Sequence, residues 1–167
     1  MLSILESGME FGCYRPEQVL KIENSQMHKQ AGACVKSVEF VLLREKNKIF
    51  FIEAKSSSPK ETTSWKRYQE FLDEITEKFI HSFDMLCAWY LGRLDDGGQA
   101  GAELKKATYS KADFVFVLVI RGHKPDWLLP LQEELNQKLR YHKSIWKSSV
   151  IVMNDTIAKE CHLIVEK

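Results

Sequence analysis

Two apolar runs joined by four polar residues constrain this chain more than any other feature. Residues 38–44 read VEFVLLR and residues 49–55 read IFFIEAK, with Glu45, Lys46, Asn47 and Lys48 between them. β-Branched, aromatic and aliphatic side chains favour strands, and a short polar link between two such runs predicts an antiparallel hairpin. Side chains alternate across a strand. Ile49, Phe51, Glu53 and Lys55 therefore share one face, and Phe50, Ile52 and Ala54 share the other. Both faces are apolar for most of their length, so the second strand is expected inside a sheet with cover on both sides.

The rest of the chain follows from the same patterns. Residues 114–120 read FVFVLVI, an apolar run of strand length that predicts a buried, parallel strand. Trp65, Tyr68, Leu72, Ile75, Phe79, Phe83, Leu86 and Tyr90 recur at three- and four-residue intervals and predict a long helix over 64–94, with Ser64 or Thr63 as its cap. Leu128, Leu131, Leu135, Leu139, His142 and Trp146 predict a second helix over 127–146, beginning late enough to leave Pro130 in the first turn. A short strand is expected over 150–153, a turn over 154–159 and a final strand or tail over 161–165. The Gly-rich stretch 95–110 reads as an exposed, mobile loop. In 1–36 the glycines and Pro16 suggest turns, 19–23 a short strand, and no helix is evident. Hairpin, helix, strand, helix, strand predicts an α/β fold: a mixed central sheet with helices on both faces.

The chain has 167 residues, 44% of them hydrophobic and 28% charged, which suits one domain over 1–167 that builds its core without disulfides or a structural metal. The formal net charge is only +1, so a nucleic-acid site would need local clustering of cations. Cys13, Cys34, Cys87 and Cys161 are scattered, with no C-x-x-C pair, and read as reduced thiols in a cytoplasmic protein. No apolar stretch reaches membrane-spanning length, and residues 1–9 lack the form of a signal peptide. There is no Gly-rich phosphate loop, no acyl-transfer signature and no histidine at metal-ligand spacing.

Charge appears where the apolar hairpin ends. Glu53 and Lys55 point to one face at the end of the second strand, and a turn around Asn47 sets Glu39 across from Glu53 or Lys55. Burying charge at such a place is costly unless it is paired or metal-bound. Two neighbouring carboxylates call for a cation between them, and Mg²⁺ accepts one or two carboxylates with waters and phosphate oxygens. The plain alternative is an exposed cross-strand ion pair, contributing less than about 1 kcal/mol.

This constellation resembles the PD-(D/E)XK, restriction-endonuclease-like nucleases. Glu39 matches that family's first acid, Glu53 its second and Lys55 its lysine, and residues 37–153 match the order of its αβββαβ core. The resemblance implies a restriction-endonuclease-like core and a hydrolase that cuts phosphodiester bonds of DNA, with RNA as the other open substrate. It implies Mg²⁺ or Mn²⁺ on Glu39, Glu53 and the Ala54 carbonyl, with Lys55 positioning the attacking water. The match has departures: the first acid is Glu, Val38 precedes it in place of Pro, and the upstream helix that bears a further acid in the family has only Glu10 and Glu23 as stand-ins. Tyr68-Gln69 reverses the family's helix motif. Those departures motivate the alternative of a catalytically degenerate domain that binds nucleic acid or a protein.

Several other side chains suit a polyanion. Ser56, Ser57 and Ser58, then Lys60, Lys66 and Arg67, follow Lys55 and are candidates for phosphate contacts, although a solvated loop explains them equally well. Lys138, Arg140, Lys143 and Lys147 form a second cluster, best read as cations offsetting a helix C-terminus. Trp65, Trp89, Trp127 and Trp146 have the chemistry to stack bases but fall on or beside apolar faces, which reads them first as core or half-buried residues. A homodimer or a larger complex is compatible with this reading, and a membrane partner is not expected.

Overall fold

The computed structural model describes residues 1–45 and 47–165; the expected turn residue Lys46 lies outside them. The expected hairpin forms from β4 (Phe40–Arg44) and β5 (Lys48–Lys55), with Phe40 facing Ile52 and Arg44 facing Lys48. Ahead of it, β3 (Val19–Leu20) pairs antiparallel with β4. Beyond it, β6 (Asp113–Ile120) and β7 (Ser149–Asn154) extend the sheet in parallel, in the order β3-β4-β5-β6-β7. The mixed five-stranded sheet follows from the apolar runs: a short link permits only antiparallel pairing, whereas each parallel step carries a helical crossover.

The two faces of β5 and β6 build two cores. Ile49, Phe51, Phe114, Phe116, Leu118 and Ile120 pack against α2 (Trp65–Tyr90) and α4 (Pro125–Lys138). Phe79 stacks on Phe116 with ring centroids 4.9 Å apart, and Phe83 meets Phe114 edge-on at 4.9 Å. On the reverse face, Phe50, Ile52, Ala54, Val115, Val117 and Val119 are covered by a hairpin of β1 (Leu2–Glu6) and β2 (Met9–Tyr14), and by Ala158 of α6 (Asp155–Glu160). Helical cover is thus uneven: long helices on one face, a two-stranded ribbon and one short helix on the other.

Several boundaries differ from the sequence reading. Ser64 caps α2 as expected, accepting from the Arg67 N–H, but the helix ends at Tyr90, and both Trp65 and Tyr90 at its ends are more than half exposed. The second expected helix is two: α4 begins early, with Pro125 in its first turn and Pro130 inside, and breaks at Leu139 before α5 (Arg140–Trp146). The helix keeps Pro130 because Leu128, Leu131 and Leu135 on either side of it are buried. The 95–110 stretch is no open loop. It holds α3 (Ala102–Lys106) and buries Ala100, Leu104 and Tyr109. There Gly101 approaches the backbone of Glu17 so closely that a Cβ would lie 2.2 Å from its carbonyl oxygen.

The first 36 residues hold more order than their glycines suggest: the β1–β2 hairpin and α1 (Gln26–Ala31), capped by the Ser25 side chain. The 154–159 turn is a helix, α6, capped by the Asn154 side chain. The tail contributes one bridge, Ile164 to Phe11. No disulfide joins the four cysteines, and Cys13, Cys34 and Cys161 are exposed. Among the described residues, no helix is long and apolar enough to cross a membrane.

Candidate carboxylate and lysine site

The candidate site lies at the carboxyl end of β5, where the strand's apolar pattern gives way to Glu53 and Lys55. The Glu53 side chain has no exposed surface. Its Oε1 accepts from Lys78 Nζ at 2.7 Å and lies 3.2 Å from Lys55 Nζ. Among the described residues, nothing hydrogen-bonds its Oε2. Burial pushes the Glu53 carboxyl up against the opposing pull of Lys78 and Lys55. A buried carboxylate oxygen without a partner is costly, which sets this atom apart from an ordinary strand-end ion pair.

Lys55 reaches away from the sheet to Glu74 Oε1 at 2.8 Å. Burial works against its charge, but the hydrogen bond to Glu74 and the charges of Glu53 and Glu74 outweigh burial and raise its pKa. Lys55 is therefore a firm cation at neutral pH. It is suited to neutralising charge and holding a polar group, not to abstracting a proton. Burial alone would raise Glu74, yet the Lys55 hydrogen bond brings its pKa below the ordinary value.

The first acid arrives as the hairpin geometry requires. The Glu39 N–H donates to the Ile52 carbonyl at 3.1 Å, just before the registered pairs begin. That register sets Glu39 beside Glu53, not Lys55. Burial, the Glu53 charge and a hydrogen bond with Glu23 raise the Glu39 carboxyl to about 8, and the Glu23 and Glu6 charges add to this. Four carboxylates from β1, the loop after β3, the start of β4 and the end of β5 thus share one electrostatic neighbourhood. Of the two upstream acids singled out in the sequence, Glu23 is the one that meets Glu39.

Ala54 sits on the opposite side of the strand, and its carbonyl accepts from the Ser7 hydroxyl at 3.0 Å. Ser7 and Gly8 form the tip of the β1–β2 hairpin with positive φ. A Cβ at Gly8 would lie 2.4 Å from the Arg121 guanidinium, so the hairpin tip sits against that side chain. Arg121 follows β6 directly, and its N–H donates to the Lys55 carbonyl. An arginine thereby joins the rim of the same sheet end.

The other sequence candidates separate. Ser56 is exposed. Lys66 and Arg67 are exposed on the first turn of α2, Lys66 lying 3.9 Å from Glu70. Lys60 stands over the Trp127 ring, its Nζ 4.5 Å from the centroid. In the second cluster, Lys138 pairs with Asp73 at 2.7 Å, Lys143 donates to Asn136 and Lys147 to the Ser144 carbonyl. Those cations serve local structure.

Sequence reasoning missed Lys78 and Glu74. They stand four apart on α2 beside the apolar stripe, a helical acid–base spacing whose inward direction emerges only once α2 lies on β5. No protein-family model matches the chain, and no match was found among curated proteins or among solved structures.

Proposed function

We propose that the protein is a metal-dependent nuclease of the restriction-endonuclease-like kind, hydrolysing phosphodiester bonds of DNA or RNA. The observation that carries this reading is the buried Glu53, one oxygen held by two lysines and, among the described residues, the other without a hydrogen bond, beside a second carboxyl, Glu39, that burial and the Glu53 charge together push up. The meander β3-β4-β5 followed by an α2 crossover to parallel β6 is compatible with the αβββαβ core that the sequence resembles. A divalent cation suits that arrangement, because it would supply the positive charge that Glu39 and Glu53 call for.

Among the described residues, no group of three or more His, Cys, Asp or Glu side chains is gathered for a metal ion. The fit is therefore to an ion that needs one or two carboxylates, its other positions going to water and phosphate oxygens, as Mg²⁺ or Mn²⁺ allows. Glu39 and Glu53 would hold it, with the Ala54 carbonyl as a further oxygen. When bound, such an ion polarises a phosphoryl group and acidifies water. Lys55, fixed as a cation by Glu74, would hold the attacking water and offset negative charge on the phosphate. Arg121 on the rim would orient a phosphate of the chain.

One observation favours a second reading. Lys78 and Lys55 already bring two cations to Glu53, so the ion-pair network can neutralise the carboxylate without metal. On that reading the domain is catalytically degenerate and binds nucleic acid or a protein.

Calorimetric titration of Mn²⁺ separates the two. Metal binding that Glu39→Gln weakens at least tenfold, together with Mn²⁺-dependent cutting that Lys55→Ala abolishes, supports the nuclease. Absence of binding at millimolar Mn²⁺ with nucleic acid present would favour the degenerate domain. Circular dichroism of each variant checks that the fold persists.

A further inference from the structure

We infer that the cleft between the 58–62 loop and the start of α4 binds one unpaired nucleotide, its base against Trp127 and its phosphate held by the cations beside that ring, Lys60 and Lys124. The cleft encloses about 310 Å³ and is lined by Ser58, Lys60, Glu61, Tyr68, His123 and Trp127, among others. Small-molecule sites span roughly 300–1,000 Å³, so this one suits a single nucleotide and is too small for a duplex. It borders the candidate site through the chain itself: the 58–62 loop leaves β5 just after Lys55, and His123 follows β6 by three residues. The crevice beyond the carboxyl ends of parallel strands is where ligands collect in open α/β sheets.

The chemistry of the lining is graded. Lys60 Nζ lies 4.5 Å and Lys124 Nζ 5.1 Å from the Trp127 ring centroid. Both ammonium groups stand within cation–π reach of the one indole, so the surroundings of the ring are cationic and suit an anionic group. Trp127 is held edge-on by His123, centroids 5.4 Å apart, and His123 is held by Ser58 at 3.4 Å. Glu61 and Tyr68 line the cleft too, and burial with the Glu134 and Glu61 charges keeps the Tyr68 phenol protonated. A ligand is thus offered cations, a flat ring, and a carboxylate with a phenol: phosphate, base face and polar base edge. A base entering the cleft takes the place of an ammonium on the indole, and that ammonium turns to the phosphate. The ring stacks on any base, so recognition is by single-strandedness more than by sequence.

This inference rests on the reading that the neighbouring carboxylates act on nucleic acid, but its test needs no metal. The anisotropy of a fluorescein-labelled single-stranded octanucleotide is followed with the full chain in EDTA, beside the matched duplex. The single strand should bind at least tenfold tighter than the duplex. Trp127→Leu should weaken it about tenfold or more while Trp127→Phe keeps most of the affinity, in line with aromatic stacking. A Lys60→Ala, Lys124→Ala double variant should lower the salt dependence by the equivalent of one phosphate contact or more. Equal binding of duplex and single strand, or full affinity in Trp127→Leu, would overturn the assignment. Single-strand binding that depends on Trp127 without any Mn²⁺ binding would uphold the cleft and sink the nuclease. Mn²⁺-dependent cutting indifferent to Trp127→Leu would do the reverse.

Discussion

β5 carries a Glu–Lys pair at each end, and the two ends behave differently. At its start, Lys48 meets Glu45 at 2.6 Å, with side chains 44% and 67% exposed. At its finish, Lys55 meets Glu53 at 3.2 Å, with side chains 24% and 0% exposed. The shorter contact is the weaker one in consequence. Water already solvates both partners at the turn, so the pair gains little and salt screens it. At the finish α2 has displaced the water, and Glu53 depends on what the protein supplies. Distance says little about an ion pair until burial is known.

That contrast breaks most sharply at Lys78. Lys78→Met leaves Glu53 buried without its nearest cation; an uncompensated buried charge costs about 3–5 kcal/mol, and because Lys55 stays 3.2 Å away the loss should fall below that range while remaining the largest of this set. Urea unfolding at pH 7 should show that loss. The double variant Lys78→Met, Glu53→Leu should regain most of it, since a well-packed apolar pair often replaces a buried ion pair at no cost. A Lys78→Met protein as stable as the parent would mean that Glu53 is relieved by something other than α2.

Glu39→Gln gives the next largest effect, and its sign depends on pH. The Glu39 carboxyl titrates near 8 in the fold against about 4.5 ordinarily. Between those values the folded state holds the extra proton, so stability falls as pH rises through that window. The Gln variant should match the parent below pH 4.5 and exceed it above pH 8, by about 1–2 kcal/mol after discounting for solvent. Melting temperatures at pH 4.5, 6 and 8.5 check this. A variant advantage that is constant across pH would place the gain outside Glu39's ionisation.

Glu74→Ala is a smaller perturbation, because Glu74 is 41% exposed. It should cost about 1 kcal/mol or less and lower the Lys55 pKa, which NMR titration of the lysine side chain reports. At the turn, Lys48→Ala should leave the unfolding midpoint within experimental error in both low and high salt. A measurable, salt-resistant loss there would erase the distinction between the two ends.

The local elements were legible wherever side-chain period and burial agreed. The β4–β5 hairpin and parallel β6 follow from spacing alone, and spacing narrowed the α2 cap to Ser64 or Thr63, of which the fold uses Ser64. The hairpin brought Glu39 across from Glu53 or Lys55, and the register of the folded strands, with Phe40 facing Ile52, selected Glu53. Less legible was the β1–β2 hairpin, although Ser7-Gly8 between two strand-like runs is a turn signal. The glycines around it spoke for loops. Pro130 misled in the other direction, since buried leucines outweigh the hydrogen bond it removes.

The chain by itself determined the sheet's central strands and the gathering of Glu39 with the Glu53–Lys55 end of the hairpin, since both depend on short-range pattern and on a hairpin of a few residues. Tertiary structure alone decided what those carboxylates are worth. Lys78 and Glu74 reach Glu53 and Lys55 from 25 and 19 residues away along the chain, Glu23 reaches Glu39 from another turn, and Trp127 meets Lys60 across the crossover. Pairing strength and proton affinity depend on excluded water, and which groups lose their water is settled when helices pack on the sheet.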